Sequence, residues 1–276
     1  MSNETDVTTL DVSAIRDFQV CELYYRFRHE EERHIPIHSR SIMADKFENT
    51  LKKVASFFFY KKQADIVPSY TAILNRWEKL WFPRDMTAYD MAVEQHDAVH
   101  ANMATFSNTA AASLEAFHDE FAKDISDALM IDEHYLIPLH FGTRLSGSID
   151  LVLRKNNHFR VIKWFGRNRR PGTDTLNLDM AAMKFAFEHR NDKKIPGTVE
   201  YLCYDLTSAR GDYLDIEQPT RADVDALLYW ASEIKDREIY VPRRGFTSYC
   251  KGCPFDEPCA EFDGWPKVHV KGVDLE

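Results

Sequence analysis

The stretch GSIDLVLRKNNHFRVIKWF, Gly147 to Phe165, decides the fold. It reads as two β-strands joined by Lys155-Asn156-Asn157-His158, a run of loop formers. Both arms are rich in apolar and β-branched residues, as buried strands are. Asp150 is the only acid in the stretch and follows Gly147 on the first arm. Lys163 lies on the second arm, near the point where it can approach Asp150 across the pair. An aspartate that binds a hard divalent cation, beside a lysine that positions water or stabilises a phosphorane, suits phosphodiester cleavage. A salt bridge between neighbouring strands needs the same two residues, and on this pair alone it is the simpler account.

Working outward, more strands flank this hairpin. Tyr135, Ile137 and Leu139 alternate with polar or bent positions before it, and VEYLCYDL (Val199–Leu206) follows it. Between the hairpin and that last run, Leu176, Met180, Met183 and Phe187 form a helical stripe. A closing helix follows Thr220, with Asp223 as its capping-box partner and Val224, Leu227, Leu228, Ala231 and Ile234 facing inward. The N-terminal half is helical. DVSAIRDFQVCELYYRFRH (Asp11–His29) reads as one helix with Ser13 as N-cap and apolar Ile15, Phe18 and Tyr25. A second helix is expected over Ile42–Phe59, and a shorter one over Ser69–Pro83 with Trp77 and Trp81 four apart. Val99, Met103, Phe106, Ala110, Leu114, Phe117 and Phe121 make one continuous stripe on a long helix. The expectation is an α/β fold: one domain over residues 1–276, with a helical insertion at about 40–125 and a cysteine loop at 243–262.

Composition narrows the function classes. The chain has 276 residues and a formal charge of −9, from 44 acids and 35 bases, so as a whole it shows no basic footprint for nucleic acid. The opening MSNETDVTTLDV is polar and acidic, unlike a signal peptide. No apolar run approaches the roughly 20 residues that span a bilayer. A reduced, cytoplasmic setting without membrane partners is expected. The charge is nevertheless uneven. From Arg154 to Arg170 there are seven basic residues and no acid. Arg160, Arg167, Arg169 and Arg170 in that run can neutralise phosphates, and Trp164 can stack on unpaired bases. Arg243 and Arg244 extend the same character, although a solvated basic loop is the plainer reading of such a run.

Five cysteines are too few for a disulfide scaffold. Three of them, Cys250, Cys253 and Cys259, form a C-x2-C-x5-C cluster in YCKGCPFDEPCAEF. A C-x2-C turn sets two thiolates on one side of a tight loop, as a tetrahedral metal or a cluster corner requires. Gly252, Pro254 and Pro258 bend the chain between them. A fourth ligand must come from elsewhere, and Cys21 is the better candidate. Cys203, flanked by β-type residues, reads as a buried strand thiol. Spacing alone leaves zinc open.

The order of these features resembles the RecB-like branch of the PD-(D/E)XK nucleases, and more narrowly its iron–sulfur members, the AddB-type and CRISPR-associated RecB-like exonucleases and their phage relatives. The resemblance covers the N-terminal motif and about Glu133 to Phe262. It implies a small central mixed sheet flanked by helices. It also implies a [4Fe–4S] cluster on Cys21, Cys250, Cys253 and Cys259 that staples the two ends of the domain, which moves the choice from zinc to iron–sulfur. Expected partners are single-stranded DNA or duplex ends, and a helicase or another replication, recombination or phage-assembly subunit. Asp150, Lys163 and Glu48 take the catalytic positions. Asp150 and Glu48 are the ligands for Mg²⁺ or Mn²⁺ if the protein cleaves DNA, with Glu48 replacing the family's early histidine.

The sequence departs from that pattern where it matters most. The family places an acid two residues before the lysine, because alternate strand residues share a face. Here that residue is Val161, and Ile162 is apolar too. The glutamine and tyrosine of the post-strand helix fall near Ala181 and Phe185, both apolar. Asp179 and Glu188 are candidates for a relocated acid, Asp179 only if it points at the sheet and not at solvent. Impaired catalysis is therefore expected, with two alternatives: an active exonuclease with a relocated carboxylate, and a non-catalytic structural or assembly subunit.

Overall fold

The hairpin expected from the opening stretch forms the middle of the sheet. A computed structural model describes residues 8–32, 39–82, 97–139, 142–166, 173–192, 194–235, 237, 240, 250, 253–255 and 258–259. In chain order the strands are β1 (Thr8–Asp11), β2 (Asp127–Pro138), β3 (Thr143–Lys155), β4 (His158–Phe165), β5 (Thr198–Asp205) and β6 (Tyr213–Leu214). The helices are α1 (Val12–Val20), α2 (Glu22–Tyr25), α3 (Ser39–Gln63), α4 (Tyr70–Trp81), α5 (Asp97–Phe121), α6 (Thr173–Arg190) and α7 (Arg221–Lys235). The sheet is mixed. Its order is β1-β3-β4-β5-β6, with β2 also paired to β3. β1 runs parallel to β3 and β4 parallel to β5, while β2–β3, β3–β4 and β5–β6 are antiparallel.

Local chemistry explains the hairpin. Asn156 sits at φ 56°, the left-handed region that asparagine tolerates better than most residues, so the chain reverses between β3 and β4 in two residues. β2 begins at Asp127, well before the alternation expected at Tyr135. Its first eight residues include Asp127, Asp132, Glu133 and His134, a half-exposed pattern that hides a strand from an apolar count. β1 and β6 were not expected from the sequence, and both are too short to show a period.

Two apolar layers cover the sheet. On one face Ile131, Leu151, Leu153, Ile162, Trp164 and Tyr204 pack against α3, α4 and α5, where Trp77 and Trp81 stack at 5.4 Å. On the other face Val152, Val161 and Tyr201 meet Met180, Met183, Ala186 and Phe187 of α6. Further along, Leu145 joins Ile15 and Phe18 of α1 with Val224, Leu227 and Ala231 of α7. The capping box of α7 forms as expected, with Thr220 N–H donating to Asp223 Oδ2 at 2.6 Å and Asp223 N–H to Thr220 Oγ1 at 3.3 Å.

The N-terminal helix differs from expectation in two ways. Asp11, not Ser13, is the N-cap: its Oδ1 accepts from Ala14 N–H at 2.7 Å, and the Ser13 hydroxyl donates to the same oxygen. β1 ends on Asp11, so the carboxylate is already at the strand-to-helix junction, which the sequence alone does not reveal. The helix also breaks at Cys21, which is extended at φ −162°, and a π-helical turn over Arg26–Glu30 follows α2. No helix among the described residues is long and apolar enough to cross a membrane.

Candidate functional site

Register brings the two hairpin residues together. Leu151 pairs with Ile162, so one step beyond it Asp150 stands beside Lys163. The Lys163 ammonium lies 3.4 Å from Asp150 Oδ2, and that oxygen also accepts the Trp164 backbone N–H at 2.8 Å. Ser148 Oγ donates to the other oxygen at 3.4 Å. Asp150 is buried, so these donors replace the water its charge has lost. For Lys163, burial alone lowers the pKa, but the charges of Asp150, Asp179 and Tyr135 outweigh it and hold the pKa above the ordinary lysine value.

Three other elements reach the same centre. Asp179 on α6 is not a solvated helix residue. It is half-buried, pairs with Arg16 of α1 at 2.8 Å, and acts electrostatically on Lys163, Tyr135 and Cys203. Tyr135 on β2 lies directly across from Gly147 on β3, with its ring over the glycine. A Cβ at residue 147 would stand 2.5 Å from Tyr135 Cζ, so the glycine makes room for the phenol. Burial pushes that phenol up to about 12; Lys163 pulls it down, and Asp179, Asp150 and Asp11 push it up. Cys203 pairs with Lys163 across β4 and β5 and is fully buried, as expected of a strand thiol. Burial raises its pKa to about 12 despite the nearby lysine.

Val161 shares the face of Lys163 but is wholly buried in the layer with Met180, Met183 and Phe187. Glu48, the expected third site residue, pairs with Lys52 on its own helix at 2.8 Å, and its carboxylate lies against Gly166 at the end of β4. It does not pair with Lys163. Glu188 pairs with Lys184 at 2.7 Å, away from Asp150. Among the described residues, no group of three or more His, Cys, Asp or Glu side chains is placed to hold a metal ion.

Two expected DNA contacts are corrected. Trp164 is only 3% exposed and stacks on Phe59 with centroids 6.2 Å apart, so it cannot receive a base. Arg160 lies on the same face as Trp164 and is paired with Asp124 and with Ser126 Oγ. Strand alternation places both under the α3–α5 layer, away from Lys163. Arg167, Arg169, Arg170, Arg243 and Arg244 lie outside the described residues.

The cysteine residues converge in part. Cys21, Cys253 and Cys259 pack against one apolar cluster, in which Phe255 meets Tyr24 at 5.2 Å and Phe27 at 5.5 Å. Cys253 N–H donates to Cys250 O at 3.2 Å, the tight turn expected of C-x2-C, and Cys259 N–H donates to Phe255 O at 2.9 Å. None of the five cysteines is in a disulfide.

Arg16 and Tyr135 were not expected at the site. Tyr135 could have been found by counting the antiparallel register back from Asp150, whereas Arg16 has no sequence signal. Among known proteins, the family model described as the PD-(D/E)XK nuclease superfamily matches residues 9–260. No curated protein matches the chain.

Proposed function

The chain belongs to the PD-(D/E)XK nuclease superfamily, and from that premise we propose that it is a DNA-binding member of the RecB-like iron–sulfur branch whose phosphodiester cleavage is weak or lost. Val161 carries this reading. The acid that should share a face with Lys163 is an apolar residue sealed under α6. The divalent cation of the superfamily's chemistry does not fit the residues present. Asp150 is already engaged by Lys163 and the Trp164 amide, Asp179 by Arg16, and Glu48 by Lys52. Mg²⁺ demands near-octahedral oxygen ligation and gives up water reluctantly, so one engaged carboxylate is a poor host. Losing such an element costs a few kcal/mol of transition-state stabilisation, each ~1.4 kcal/mol being a factor of ten in rate.

Cys21, Cys250, Cys253 and Cys259 would hold a [4Fe–4S] cluster, which supplies a crosslink between the two ends of the domain. The packing of Cys21, Cys253 and Cys259 on one apolar cluster supports this, and four thiolates suit iron–sulfur as well as zinc. With Trp164 and Arg160 withdrawn, the DNA contacts fall to Arg167, Arg169 and Arg170, acting on phosphates. A helicase or an assembly subunit remains the proposed protein partner.

The test incubates the purified protein with single-stranded and duplex DNA in Mg²⁺ or Mn²⁺. Cleavage is expected at background, equal in Asp150→Ala. Robust metal-dependent cleavage abolished by Asp150→Ala overturns the reading. DNA affinity should fall steeply with salt and on charge reversal at Arg167, Arg169 and Arg170. Iron and sulfide in anaerobically purified protein support the cluster; stoichiometric zinc overturns it. A second reading, an active nuclease with a relocated acid, draws on Asp179 beside Lys163, and the ion pair to Arg16 counts against it.

A further inference from the structure

The polar centre is balanced by the chain's own charges. Two carboxylates, Asp150 and Asp179, face two cations, Lys163 and Arg16, at 3.4 Å and 2.8 Å respectively. The partners of the second pair are 163 residues apart in sequence, on α1 and α6. It is no solvated surface pair, since the two side chains are 27% and 24% exposed. Arg16 cannot drift away easily, because Ile15 and Phe18 on either side of it are completely buried. Asp11, which also acts on Tyr135, is committed to capping α1.

Resting on the reading of this centre as a degenerate nuclease site, we infer that Arg16 is its resident cation, an intramolecular replacement that holds Asp179 where a divalent ion would otherwise draw it toward Asp150. The guanidinium is always charged, is weakly hydrated for a cation, and forms fixed hydrogen bonds to a carboxylate. It arrives with the fold, so it binds without the dehydration that Mg²⁺ must undergo. A dication approaching Asp150 and Asp179 meets the ammonium of Lys163 and the guanidinium of Arg16, and like charges at this range repel strongly in a partly buried site. Among the described residues Arg16 Nε is buried with no hydrogen-bond partner, and the guanidinium's contact is its Nη2 pair with Asp179. Loss of the acid at Val161 and capture of Asp179 by Arg16 thus belong together. The first removes one cation ligand, and the second occupies Asp179, the α6 carboxylate that acts on Lys163.

The experiment titrates Mn²⁺ alone into the wild type, Arg16→Gln and Arg16→Gln/Asp179→Asn. Binding is read from loss of the unbound-ion paramagnetic resonance signal, and folding from thermal melts. The wild type should show no Asp150-dependent binding. Arg16→Gln should bind about tenfold tighter or more, a change of about 1.4 kcal/mol, and the double variant should lose that gain. Arg16→Lys, which keeps the cation, should behave as the wild type. A folded Arg16→Gln that binds no more Mn²⁺ than the wild type overturns the inference and leaves the proposed function standing. Wild-type binding of Mn²⁺ that Asp150→Asn abolishes also overturns it, whether or not the other variants fold. The proposed function falls with it only if that bound metal supports DNA cleavage.

Discussion

Val161 on β4 stands directly across from Val152 on β3, and both are completely buried on the face that carries Lys163. The pair forms part of the floor on which Met183 and Phe187 of α6 rest. In a site that held a cation, a carboxylate at this position would need an opening toward water and the metal. Here the opening is filled by the apolar side of α6. The departure at Val161 is therefore a repacked layer and not a single missing ligand.

That layer predicts the fate of an acid put back at this position. Val161→Asp should destabilise the protein by about 3 kcal/mol or more at neutral pH, because a buried carboxylate has neither water nor a partner. The burden should shrink as pH falls. A buried acid has a raised folded pKa, so its neutral form is tolerated below the unfolded value and stability is lost as pH rises. Val161→Ala should cost about 2 kcal/mol with no pH dependence. Urea denaturation at two pH values distinguishes the two. Cleavage should not return in Val161→Asp, and a gain of metal-dependent nuclease activity would show the layer to be more permissive than its packing.

Two glycines make a contrasting pair. An alanine methyl at Gly147 would meet the Tyr135 ring, with Cζ only 2.5 Å away, and that ring is packed against two apolar clusters. Gly147→Ala should cost about 1–3 kcal/mol through overpacking, and Gly147→Ala/Tyr135→Leu should recover most of it. At Gly166 the methyl would stand 2.6 Å from Glu48 Oε2, the far end of a flexible side chain. Gly166→Ala should stay within about 1 kcal/mol of the wild type, since the carboxylate swings away and the unfolded chain loses entropy. Thermal melts of the variants decide both.

The hairpin, the α6 and α7 stripes and the Trp77–Trp81 pair were legible because each depends on neighbours close in sequence. Asp150 and Lys163 could be joined by counting across one turn. Trp164 was misread because the basic residues around it suggested an open surface, while alternation put it with Ile162 beneath Phe59. Arg16 and Asp179 meet only because β1 and α1 dock beside α6, and no local period records that contact. The Asp11 cap was hidden for the same reason, since it depends on a four-residue strand paired to β3.

Acid should weaken the junction of α5 and β2. Asp124 accepts from Arg160 and from Ser126 N–H at 2.8 Å. Burial pushes its pKa up, but the hydrogen bonds from Ser126 and Arg160 and the charge of Arg160 outweigh this and hold it below the ordinary carboxylate value. A depressed folded pKa means the stabilisation is complete above the unfolded value, near pH ~3.9, and is lost as pH falls through the lower folded one. Asp124→Asn should cost about 1–3 kcal/mol at neutral pH and flatten that acid limb. Denaturant midpoints measured from pH 6 down to pH 3 provide the check.

Glu22 and Arg237 join the segment after Cys21 to the chain beyond α7. Their ion pair is 2.6 Å long, with Glu22 buried, and the Arg237 guanidinium also lies over the Phe18 ring at 5.6 Å. Arg237→Ala should cost about 3 kcal/mol, the low end for a broken buried pair because Arg237 is itself partly exposed. Replacing both partners by apolar residues, Glu22→Leu with Arg237→Met, should cost less than Arg237→Ala alone, since the buried Glu22 carboxylate is then removed together with its guanidinium. The same pair spans the two ends that a cluster on Cys21, Cys250, Cys253 and Cys259 would tie. A metal-centred crosslink removes freedom from the opened state, so the ion pair matters less while it is in place. Arg237→Ala should accordingly accelerate proteolysis of the C-terminal segment more in cluster-stripped protein than in anaerobically purified protein. Equal acceleration in both would mean that the thiolates do not bridge these ends.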